Sequence, residues 1–151
     1  GALSSPALTK AKHLGFKELM DLGDLGIQYP GLSYMATESY IKTHRATVIN
    51  FLKAIIESTH SLKRNKDFTI RVLKKYTKMD EPAVLDETYE LFTQRYFRLV
   101  PTPSGEEVKT VLDQIKDKDP KARTTGYDSF IRTDLLREIE QSGFIKALAK
   151  G

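Results

Sequence analysis

Beyond its first four residues, this chain has one stretch that reads as a β-strand, and a single strand cannot form a sheet. Leu32 to Thr37 follows Pro30-Gly31 and has the bounded, partly apolar character of an extended segment. Gly1-Ala2-Leu3-Ser4 resembles the end of another short strand. Almost everything else carries helical spacing. Two architectures satisfy this pattern. One is a helical bundle; the other is the helical layer of an α/β domain whose remaining strands lie elsewhere.

The helical signals follow one another along the chain. Ser5 is placed to cap a first helix with Pro6 in its first turn and an apolar stripe of Ala7, Leu8, Ala11 and Leu14, and Gly15 is a natural stop. Gly23, Gly26 and Pro30 break any long helix between Phe16 and Pro30. Thr43 precedes a long helix whose face is Val48, Phe51, Leu52, Ile55, Ile56, Thr59 and Leu62. Asn65 punctuates it, and Ile70, Leu73 and Tyr76 mark a shorter helix. Asp80 and Pro82 open the next, striped by Leu85, Thr88, Tyr89, Phe92 and Tyr96, and Pro101 and Pro103 then enforce a break. Ser104 and Glu107 form a capping box before Val108, Val111, Leu112 and Ile115, the expected buried face. Asp119-Pro120 ends that helix, Tyr127 to Ile131 is ambiguous, and Thr133 is placed to cap a last helix with Leu135, Leu136 and Ile139 inside. Gly143 fits a left-handed terminator. No fixed-period repeat or low-complexity tract interrupts this order.

Composition narrows the functional classes. With 151 residues, 40% hydrophobic and 29% charged, the chain is long enough for one ordinary domain with a sizeable core. No apolar run approaches the roughly 20 residues a membrane-spanning helix needs, and no signal peptide opens the chain. There is no cysteine, which removes disulfides, thiolate zinc sites and cysteine nucleophiles. His13, His44 and His60 have no partner at metal-ligand spacing. No glycine-rich phosphate loop and no serine-nucleophile elbow is present. Asp21 and Asp24 lie in a glycine-broken stretch and read as solvated loop acids. The formal net charge is +4, and Lys63 to Lys78 holds Lys63, Arg64, Lys66, Arg71, Lys74, Lys75 and Lys78 against only Asp67. That run lacks a recognisable nucleic-acid docking motif and reads as the solvated face of a helix.

The stretch with the most functional content is Leu3-Ser4-Ser5-Pro6. A strand running into a helix N-terminus directs free N–H groups and serine hydroxyls at one spot, which suits an anionic or carbonyl-bearing ligand. Plain helix capping accounts for the same residues without a ligand.

The ordered set of elements resembles the ABC-importer receptors for nitrate, aliphatic sulfonates, taurine and thiamine-precursor pyrimidines. The resemblance is carried by Leu3-Ser4-Ser5-Pro6, Ala11, Gly15-Phe16 and Leu19 to Leu22. It continues through Gly31 to Thr37, Tyr40-Ile41, Val48, Phe51 to Ala54 and Lys75-Tyr76-Thr77. Asp80, the break at Pro101 and Pro103, Ile115, Asp119-Pro120 and Ser142 to Ile145 complete it. It covers nearly the whole chain, and its specificity lies in the order rather than in any one motif.

The resemblance implies an α/β fold of the type II periplasmic-binding-protein kind, with this chain as its helix-rich C-terminal portion carrying few strands. Residues 1–30 would end the second lobe, 31–38 would be a hinge crossover strand, and 39–151 would be the helical part of the first lobe. The implied function is extracytoplasmic or periplasmic capture of a small organic or oxyanion solute, without catalysis or cofactor. The implied ligand-binding residues are Ser4, Ser5, Tyr29, Ser33, Tyr34 and Thr37, and packing accounts equally well for Tyr29 and Tyr34. The expected partners are the solute, a transporter permease and the N-terminal half of the same protein, with neither nucleic acid nor membrane insertion. Two alternatives stay open. One is a free-standing helical interaction module. The other is an enzyme of thiamine-pyrimidine synthesis on the same scaffold, a branch relying on a histidine and cysteine cluster that a cysteine-free chain does not supply.

Overall fold

The regular elements of the computed structural model, which describes residues 1–150, are all helices. The α/β expectation is therefore corrected: the chain is all-α, and no strand forms among the described residues. The physical reason lies in residues 31–38, expected to be a hinge strand. A strand exists only through its hydrogen-bonded neighbour, and no backbone group from Ile27 to Ala36 pairs with another backbone group. That stretch is irregular, and Glu38 already belongs to a helix.

Eight α-helices are present among the described residues: α1 (Ala7–His13), α2 (Glu38–Thr43), α3 (Arg45–Arg64), α4 (Lys66–Thr77), α5 (Pro82–Leu91), α6 (Gly105–Ile115), α7 (Thr133–Gln141) and α8 (Phe144–Leu148). Short 3-10 turns occur at Leu22–Leu25, Pro120–Arg123 and Tyr127–Phe130, and a π-type turn at Phe92–Tyr96 extends α5. The chain divides into two compact units, one of residues 1–21 and 56–99 and the other of 22–55 and 100–151.

The first unit is organised by α5, against which α1 and α4 pack. Val84, Leu85, Thr88 and Tyr89 recur at helical spacing and are all buried. Ile56 from α3 is buried in the same unit. The Tyr89 hydroxyl donates to the Lys63 carbonyl at 2.8 Å, which satisfies one of the orphan acceptors at the end of α3. Asn65 caps α4 by accepting from the Phe68 amide at 3.2 Å. Lys78 closes α4 in the left-handed conformation, with φ 59°. Pro82 occupies the first turn of α5 as expected, but Asp80 does not cap it. Glu81 is the flanking residue, and Asp80 instead pairs with Lys74 at 2.7 Å.

In the second unit, α7 buries Leu135, Leu136 and Ile139 and packs on α8, with Gly143 at φ 79° between them. Ile41 of α2 is buried as well. The capping box of α6 forms in both directions: Ser104 accepts from the Glu107 amide and Glu107 accepts from the Ser104 amide. A Cβ at Gly105 would lie 2.6 Å from the Tyr127 ring, so any larger residue there would displace that ring. The face of α6 is shallower than its spacing suggests, since Val108, Val111 and Leu112 are half-buried and Ile115 is exposed.

Two substitutions test this packing. Ile139→Ala should cost about 2–5 kcal/mol in urea unfolding followed by circular dichroism, because it opens a cavity in a fully buried site. Thr88 is 0% exposed and its hydroxyl has no partner. Thr88→Val should therefore stabilise the chain by about 1 kcal/mol, and a loss of stability would show that the hydroxyl is satisfied.

Candidate functional site

The six residues proposed from sequence fall in both units. Ser4 and Ser5 lie ahead of α1 in the first, and Tyr29, Ser33, Tyr34 and Thr37 lie in the second. The turn into α1 is closed on itself. Leu8 N–H donates to the Ser4 carbonyl at 3.0 Å, and the Ser5 and Thr9 hydroxyls share a hydrogen bond of 2.9 Å. Pro6, not Ser5, is the residue flanking the helix, and no side chain caps it. At seven residues α1 is a short helix, with little dipole to focus on a ligand.

The second group is more open. Thr37 caps α2, accepting from the Tyr40 amide at 3.2 Å, with extended backbone at φ −71° and ψ 149°. This short helix precedes the long one, so the Thr43 cap expected for α3 does not form. Thr43 instead ends α2, donating to the Ser39 carbonyl at 2.9 Å and sharing a 2.8 Å hydrogen bond with His44 Nδ1. Tyr34 sets its ring edge-on to Phe51 at 5.1 Å, and the His44 ring stacks on Tyr40 at 4.4 Å. Tyr29 and Ser33 are exposed. This segment offers phenol and alcohol hydroxyls beside aromatic surface, groups that orient a small polar ligand by hydrogen bonds and stacking.

Sequence reasoning missed the main charged constellation of the second unit. Arg132 makes a bidentate pair with Asp134 at 2.9 and 3.0 Å and reaches Glu38 at 2.6 Å. Arg45 contacts both Asp134 and Glu138. Hydrogen bonding to Arg132 is the main cause that holds the Asp134 carboxyl below its ordinary value, and the same pairing raises Arg132. The i, i+4 spacing of Asp134 and Glu138 was visible in sequence, as was Arg132 two residues before Asp134, but Arg45 lies 93 residues from Glu138 and Glu38 lies 94 from Arg132. All five side chains are substantially exposed, so the network orients α2, α3 and α7 within the unit more than it stabilises them.

His13 pairs with Glu87 at 2.8 Å, and no cluster of histidine and acidic residues able to hold a metal occurs among the described residues. Asp21 is held by Arg95 at 2.9 Å rather than simply solvated. No described helix is long and apolar enough to cross a membrane. Comparison with protein-family models, curated proteins and solved structures finds no match.

Two outcomes follow. Thr37→Ala should cost about 1 kcal/mol through loss of the cap, whereas Thr37→Ser should be nearly neutral. Asp134 has a folded pKa below its unfolded value, so its contribution is intact above that unfolded value and is lost as pH falls through the folded one. Asp134→Asn should therefore flatten the acid limb of a stability-versus-pH curve and leave its alkaline limb unchanged.

Proposed function

We propose that this chain is part of the solute-capture component of an ABC importer, acting outside the cytoplasm and delivering a small organic or oxyanion solute to a permease. One structural observation carries the reading beyond the sequence resemblance. The stretch from Ile27 to Ala36 leaves its backbone unpaired and presents Tyr29, Leu32, Tyr34 and Met35 to solvent, with Met35 93% exposed. Large apolar side chains grouped on an irregular segment indicate a surface used in an assembly or in ligand contact. The hydroxyls of Tyr29, Ser33 and Tyr34 give that surface the polar groups a small solute needs.

A second reading, the helical interaction module, is favoured by one fact: both compact units form their cores without a strand. The two readings separate by ligand. The intact gene product should be screened by thermal shift against alkanesulfonates, nitrate, a pyrimidine phosphate and aromatic acids. One class should raise Tm, by an amount equivalent to about 2.7 kcal/mol at a hundredfold excess over Kd. Tyr34→Ala should weaken that ligand by about tenfold, the loss of one well-placed contact of roughly 1.4 kcal/mol. A silent panel, with solute uptake unchanged on deleting the gene, would leave the interaction module as the function.

A further inference from the structure

Helix α4 buries one side and leaves a basic, aromatic face on the other. Thr69 is buried, and Ile70, Val72, Leu73 and Thr77 are half-buried, while Phe68, Arg71 and Lys75 follow one another at i, i+3 and i+7 on the exposed side. Phe68 thus sits at the N-terminal end of the solvent-facing stripe at 49% exposure, where a polar residue is expected. Tyr76, next to Lys75, is 73% exposed.

The cations of this helix divide into two sets. Lys66 is held by Asp86 and Glu90 of α5 at 3.2 and 3.1 Å, and Lys74 by Asp80 at 2.7 Å. Arg71, Lys75 and Lys78 have no acidic partner. Two of them lie against aromatic rings, Arg71 5.9 Å from the Phe68 ring centre and Lys75 5.3 Å from that of Tyr76.

We infer that this face of α4 is a peripheral docking surface for an anionic phospholipid bilayer. Phe68 and Tyr76 are eight residues apart, about 12 Å along the helix. The face is the outside of a helix rather than a groove, so it suits a flat partner. Flexible cations around a projecting ring need no fixed geometry in that partner, and lipid headgroups supply none. Each cation without an acidic partner is attracted by the negative surface potential, and insertion of an aromatic ring into the headgroup boundary adds apolar burial. Nucleic acid, by contrast, calls for a basic groove lined by stacking platforms or an element fitted to a duplex groove. The inference is independent of the solute the chain takes.

The test is co-sedimentation of the full chain with vesicles of phosphatidylcholine containing about 30% phosphatidylglycerol, compared with phosphatidylcholine alone, at about 50 mM and about 500 mM salt. Binding is expected on the anionic vesicles at low salt only. The double variant Arg71→Glu/Lys75→Glu should reduce it by at least about tenfold, and Phe68→Ser by several-fold. Lys109→Glu/Lys118→Glu, which makes the same change in net charge at exposed positions elsewhere, should have little effect. Circular dichroism establishes that each variant is folded. Absence of binding at low salt, equal binding to neutral vesicles, or equal loss in the two charge-reversal variants would overturn the inference. So would binding of a mixed-sequence oligonucleotide without vesicle binding, which would assign the face to nucleic acid.

Discussion

A chain that does not pair strands must satisfy its backbone locally, and this requirement shapes every part of the molecule. Each helix closes its own N–H and C=O groups, and the ends depend on nearby side chains. Thr37, Asn65 and Ser104 supply acceptors at the starts of α2, α4 and α6, and Asp119 does so for the turn that follows α6. Lys78 and Gly143 turn the chain through left-handed backbone at the ends of α4 and α7. Where no cap and no helical period exist, from Ile27 to Ala36, backbone hydrogen bonding stops. The irregular segment and the helices are thus two results of one constraint.

Packing then decides which helices matter most. In the first unit α5 has a doubled buried row, Val84 and Leu85 followed by Thr88 and Tyr89, and this width lets it receive both α1 and α4. Tyr89 performs two tasks, filling core volume with its ring and closing the end of α3 with its hydroxyl. In the second unit the corresponding role falls to α7, whose three buried aliphatic residues lie on one face while Asp134 and Glu138 stay outside to meet Arg45. Apolar periodicity places the helix, and the charges on its flank restrict how it is oriented.

Local signals were therefore the most legible. The capping box at Ser104, the punctuation at Asn65, the Pro82 helix start and the Gly143 terminator all form because each depends only on residues within about four positions. The errors came where a local signal had competitors. Thr43 was taken up as the last residue of α2 instead of capping α3, and Asp80 turned to Lys74 instead of the α5 terminus. The strand at Leu32 to Thr37 failed for a different reason. Its side-chain pattern is non-helical, but strand formation is a property of two segments, and no second one pairs with it among the described residues. The reach of Arg132 to Glu38 and of Arg45 to Glu138 was illegible for the same reason, since a charge declares its sign but not its distant partner. Of the candidate ligand residues, Thr37 has an evident structural task as a cap, and Tyr34 combines a packing contact with open surface.

Charge distribution follows from the same division between local and distant. Acidic residues of α5, Asp86 and Glu90, neutralise the edge of α4 that faces them, and Lys66 is raised above its ordinary value mainly through its hydrogen bond to Glu90. Asp80 does the same for Lys74 just beyond the helix end. A face meant only to be wet gains from mixing signs, because i, i+4 pairs add stability and like charges repel. The outward side of α4 is less mixed: it gathers Arg71, Lys75 and Lys78, none of them in an ion pair, with Asp67 as its one acid and an exposed phenylalanine beside them. Solubility does not require that ring, and neither does the core, which Thr69 and Leu73 already reach from the other side. Like charges that repel one another and an aromatic left in water are both unfavourable in isolation, and both become favourable against one partner that is negative and has an apolar interior.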